Sequence, residues 1–105
     1  MNLNRYKEHP DARIDPGLLW EYDLTAFDYQ KMRQVVVQRV VERGFPDDWY
    51  AALDLYGKEG MAEIIRTLPY LNDKDMNFVS VYFDIPLSEM KCYELKRSRQ
   101  AHWNS

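Results

Sequence analysis

The chain has one cysteine, Cys92, among its 105 residues, so no intrachain disulfide can staple the fold. Its two histidines, His9 and His102, stand near opposite ends. With Cys92 lacking a partner at ligand spacing, no zinc site is expected. The four glycines, Gly17, Gly44, Gly57 and Gly60, fit neither G-x-x-x-x-G-K-[ST] nor G-x-G-x-x-G, so no phosphate-cradling loop and no nucleotide cofactor are expected. Apolar runs stay well short of the roughly 20 residues that cross a bilayer. The opening stretch MNLNRYKEHPDAR has no apolar export region, so the expected location is cytoplasmic and away from membranes. Excess positive charge is missing as well. Fourteen Lys and Arg face 17 Asp and Glu, a net −3, so any nucleic-acid contact has to be local.

What is present is enough for one core. Hydrophobic residues make up 46% of the chain and charged residues 30%. A chain of this size buries roughly 60 to 65% of its unfolded surface, which argues against intrinsic disorder. The expected fold class is all-α, a compact bundle of about five short helices. Residues 1–13 are polar and broken at His9-Pro10, and read as a flexible N-terminal arm. Residues 14–95 read as a single helical domain, and 96–105 as a basic and aromatic tail.

Apolar spacing carries the helix assignments. Asp15-Pro16-Gly17 before Leu18, Leu19 and Trp20 reads as one capped helical turn. Thr25-Ala26-Phe27-Asp28 matches a capping box ahead of Met32, Val35, Val36 and Val40, which share one helix face, with Gly44 as the stop. The run from Val35 to Val41 is rich in β-branched residues and also reads as a strand. Its length, and the lack of a second strand-like run, favour a helix. Pro46 and the acids Asp47 and Asp48 begin the next helix, whose stripe is Trp49, Leu53 and Tyr56. Gly57 and Gly60 mark a kink before Met61, Ile64, Ile65 and Leu68. Asn72 caps the segment carrying Met76, Val79 and Phe83, and a shorter helix is expected from about Leu87 to Tyr93. The strongest apolar positions, Trp20, Val36, Val40, Trp49, Leu53, Ile64, Ile65, Leu68, Phe83 and Ile85, form the expected core.

No group of side chains spells out catalysis. Asp47 and Asp48 read as dipole-complementing acids, Glu59 and Glu63 as a solvated face, and Cys92 beside Lys91 as a packing residue. The chain is therefore expected not to be an enzyme.

The stretch from Val79 to Tyr93 fits a helix-turn-helix-like corner. Val79 and Phe83 end the first helix on its apolar side, Ser80 permits close approach, Ile85 plugs the turn and Met90 returns to the core. Leu87, Ser88, Lys91 and, at the margin, Cys92 are left to face outward. Two features weigh against DNA reading: Asp84 replaces the usual turn glycine, and Glu89 would meet phosphates or base edges. A structural corner, an interaction surface and direct DNA readout all remain open. Beyond it, Lys91, Lys96, Arg97 and Arg99 against Glu94 give the last 15 residues +3, which leaves −6 for residues 1–90. Such a tail suits phosphates or an acidic partner, with His102 and Trp103 as an aromatic anchor. The competing reading is a solvated chain end.

The segments LLWEYDLTAFDYQKMRQVVVQRVVERG, DDWYAALDLYGKE, LPYLNDKDMNFVSVYFDIPLSEMKCY and the terminal HWNS resemble a family of small bacterial helical proteins of unknown function. The resemblance covers about residues 18–105. Members are often encoded beside nucleotidyltransferase-like toxins of the abortive-infection type, which implies an antitoxin or accessory role. The chain lacks the Gly-Ser and paired-Asp pattern of the transferase itself. The expected function is thus a non-enzymatic protein-interaction module with a protein partner, and the alternative is a small helix-turn-helix-type DNA-binding regulator.

Overall fold

A computed structural model describes residues 3–103; the side chains of Asn4 and of residues 100–103 lie outside what it describes. The valine-rich run is helical, as α1 (Arg33–Arg43), and buries Val36, Val37, Val40 and Val41. Next comes α2 (Pro46–Thr67), which starts on Pro46 and carries Asp47 and Asp48 in its first turn. It is two helices in one. Gly57 takes φ 76° and ψ 162°, a backbone that interrupts the helix and that glycine adopts without steric cost. The chain continues into α3 (Asp73–Phe83) and α4 (Lys91–Trp103). Counting both arms of α2, five α-helices among the described residues build the all-α bundle.

The core is one cluster that runs through all of these elements. It holds Val36, Val40, Trp49, Leu53, Ile64, Ile65, Leu68, Phe83 and Ile85, the positions that the apolar spacing predicts. Trp20 is the exception, at 75% exposed. The short 3-10 turn Pro16–Leu19 buries Leu19, and the chain rotates the next side chain outward. Its indole belongs to the surface.

The start of α1 also differs from expectation. The chain between Asp23 and Met32 does not enter the helix at Thr25, because its acids satisfy nearby turns instead. Asp23 accepts from the Thr25 N–H at 3.0 Å and the Thr25 hydroxyl at 2.7 Å. Asp28 accepts from the N–H groups of Gln30 and Lys31 at 2.9 and 3.1 Å. Such local side-chain bonds offer the backbone an alternative to helix. The result is a 3-10 turn, Leu24–Ala26, and a helix that begins only at Arg33.

Residues 3–13 lie against α2. Leu3 is buried, and the His9 ring stacks on Tyr50 with centroids 4.0 Å apart and planes 7° from parallel. Residues 14–21 are fastened at two points. The Asp48 carboxylate, 3% exposed, accepts from the Asp15 N–H at 2.7 Å and from the Phe45 N–H at 2.8 Å. Arg39 of α1 donates to the Leu18 carbonyl at 2.9 Å and pairs with Glu21 at 2.7 Å. That guanidinium bond holds the Glu21 carboxyl below its ordinary range. Gly44 makes the α1–α2 connection possible. A Cβ there would come within 2.5 Å of the Val40 carbonyl oxygen and 3.2 Å of the Asp48 side chain.

Removing Asp48 should therefore cost more than removing its neighbour. Asp48→Ala leaves two N–H groups without their charged acceptor and is expected to cost about 3 kcal/mol in urea unfolding, against less than about 0.5 for Asp47→Ala. Ile65→Ala should cost about 2 to 5 kcal/mol, while Trp20→Ala should be near neutral. Equal midpoints for the two Asp variants would refute the bridging role.

Candidate functional site

The C-terminal corner packs as a helix-turn-helix-like unit. Asp84 ends α3 in the left-handed region at φ 54° and ψ 47°, a conformation Asp tolerates better than most residues. Glycine is not required there. Ser80 then closes the turn twice: its carbonyl accepts from the Ile85 N–H at 3.0 Å, and its hydroxyl donates to the Ile85 carbonyl at 2.6 Å. Ile85 and Met90 are each 1% exposed, so the turn is plugged and the following segment anchored.

Downstream the geometry departs from expectation. Leu87–Glu89 is a 3-10 turn and α4 begins at Lys91, because Met90 turns inward between them. Leu87 is half-buried against the core, not outward. Cys92 is buried, and burial pushes its thiol up, so the neutral thiol is the form present near neutral pH. Glu89 pairs with Arg66 of α2 at 3.4 Å. The backbone stays helical through Trp103, across residues expected to form a tail.

Ser88 and Lys91 are exposed, as are Arg97 and Arg99. Lys96 is half-buried and ion-paired with Asp73, at the start of α3. The Arg97 guanidinium lies 5.9 Å from the Tyr93 ring centroid. The structure thus carries these residues on one helix and its leading turn, but it does not align their charges. Arg97 is displaced about 120° around the helix from Lys91. The expected anchor residues His102 and Trp103 have side chains outside the described residues.

Two grooves flank Leu55 on α2. One, of about 320 Å³, is lined by residues that include Arg13, Ile14, Tyr29 and Asp54. The other, of about 410 Å³, runs past Arg33, Gln34, Glu63 and Thr67. Between them the Tyr56 hydroxyl donates to the Tyr29 carbonyl at 2.7 Å. Among the described residues, no group of three His, Cys, Asp or Glu is arranged to hold a metal ion, and no helix is long and apolar enough to cross a membrane.

Sequence reasoning missed one surface feature. Trp20 and Phe45 are 75% and 73% exposed, and both stand on the segments that Asp48 and Arg39 fasten. Phe45 precedes Pro46 as the residue capping α2, a place outside the buried stripe that periodicity could have flagged. Nothing comparable marks Trp20.

Tyr56 supplies a pH test. Burial, and then the neighbouring Tyr29, push its phenol from 10.0 up to about 12. Between those values the unfolded chain has released the proton and the folded chain has kept it, so stability should fall as pH rises from about 10 to 12. Tyr56→Phe should cost about 1 kcal/mol at neutral pH. Its denaturation midpoint should fall less steeply over the alkaline range; an unchanged slope would contradict the assignment.

Residues 14–65 match a family described as a family of unknown function (DUF6922). The match takes in the fastened segment, α1 and most of α2, and stops before the corner. No curated protein and no solved structure matches the chain.

Proposed function

We propose that the chain is a non-enzymatic protein-interaction module, an antitoxin or accessory partner of a nucleotidyltransferase-like toxin. The observation that carries the interaction reading is the exposed pair Trp20 and Phe45 on a braced backbone. Aromatic side chains on preorganised backbone lose little freedom when covered, and such residues are enriched among interface hot spots. The toxin as partner comes from the family resemblance alone. Arg97 and Arg99 add charge that steers encounter with an acidic surface.

Co-expression with the adjacent gene's product tests this. A stable complex is expected, with Trp20→Ala and Phe45→Ala each speeding dissociation and costing about 2 kcal/mol. Arg97→Ala should instead slow association and flatten its salt dependence. No complex with that product would remove the toxin reading. A complex unaffected by the double aromatic variant would remove the surface.

A second reading, a DNA-binding regulator, is favoured by the closed corner of Ser80, Asp84 and Ile85. Of the four cations at its C-terminal side, Lys96 is taken by Asp73. Lys91, Arg97 and Arg99 then neutralise at most three phosphates, so the log-log salt slope should be about −3 or shallower per chain. A slope near −8 would require charges elsewhere.

A further inference from the structure

The helix α3 is apolar on two sides. Met76, Val79 and Phe83 enter the core, while Phe78 remains 43% exposed and Val81 83% exposed. This outer face is preformed. The Phe78 ring meets Trp49 edge-on at 5.6 Å and lies parallel to Tyr82 at 6.2 Å, and the Lys58 ammonium sits 4.7 Å from the Tyr82 centroid.

Charge placement along this face says what covers it. Residues 74, 78 and 81 follow an i, i+4, i+7 stripe. Exposed Lys74 stands toward its N-terminal end and exposed Asp84 at its C-terminal end, and neither enters any ion pair among the described residues. The midpoint between Phe78 and Val81 coincides, within one residue, with the midpoint between Lys74 and Asp84. A two-fold axis passing beside α3 at that level, perpendicular to the helix, lays Phe78 of one copy on Val81 of the other. The same operation brings each Lys74 toward the opposite Asp84. An isologous interface needs this self-complementarity, and a second copy supplies it by symmetry.

We infer that the chain forms a two-fold homodimer through the outer face of α3, with Phe78 and Val81 at its centre and Lys74–Asp84 pairs at its rim. The inference is independent of the Trp20 and Phe45 reading. A face one 11-residue helix long, about 16 Å, is at the small end of specific interfaces, so the dimer is weak.

Sedimentation equilibrium of the full chain from about 1 to 500 μM tests it. A concentration-dependent monomer–dimer equilibrium is expected. Val81→Lys should weaken it at least about tenfold, with the helical circular dichroism unchanged because the side chain lies outside the core. Lys74→Glu should weaken it by setting like charges together, and adding Asp84→Asn, which suits the left-handed backbone, should recover part of the loss. A monomer throughout that range, a dimer indifferent to Val81→Lys, or a Lys74→Glu defect that Asp84→Asn leaves unrelieved would overturn it.

Discussion

One buried carboxylate organises the N-terminal half. Asp48 reaches back to the Phe45 N–H, where it caps α2, and outward to the Asp15 N–H, 33 residues earlier in the chain. A group 3% exposed is costly to keep charged unless its lone pairs are used, and the two backbone donors use them. That requirement ties residues 14–21 to the junction of α1 and α2. Gly44 is the steric condition for it, since any side chain there would strike Val40 and crowd Asp48. Arg39 then fixes the same segment from the α1 side. The exposed aromatics at 20 and 45 stand on, or next to, the backbone that these bonds hold.

The all-α class, the helix count and most of the core were legible because they rest on local periodicity. Val36 and Val40, Trp49 and Leu53, or Ile64, Ile65 and Leu68 repeat at helical spacing and are buried where that spacing puts them. The failures have two causes. Whether Asp28 starts a helix or closes a turn is decided by its local bonds to Gln30 and Lys31, which helix spacing does not report, whereas whether Trp20 or Leu19 faces the core depends on contacts remote in sequence. Asp48 read correctly as a helix-start acid, yet its bond to Asp15 leaves no trace in spacing. Leu3 and the His9–Tyr50 stack are invisible for the same reason, since one apolar residue in a polar stretch has no period to announce it.

The corner shows both sides of this limit. Ser80, Ile85 and Met90 were legible by position, and they close and plug the turn. The missing glycine at Asp84 proves a poor objection, because the left-handed backbone is open to Asp at modest cost. Helix spacing continued back to Leu87 places that residue outside, one turn before α4 begins. Once Met90 is drawn inward, the preceding residues are forced into a 3-10 turn, and Leu87 swings against the core.

Electrostatics narrows what the molecule can recognise. Residues 1–90 and 91–105 carry −6 and +3, which on paper is a strongly polarised chain. Folding spends part of that contrast internally, with Lys96 on Asp73 and Arg66 on Glu89. Three outward cations on α4 do not share one face, and screening at physiological salt confines each to about 8 Å. Long-range attraction from these cations is therefore short in reach and acts on the encounter alone. Close apolar contact is offered at several exposed side chains, Trp20, Phe45 and the Phe78–Val81 face among them. Charge at their rims, such as Lys74 and Asp84, acts by deciding which register of contact is allowed.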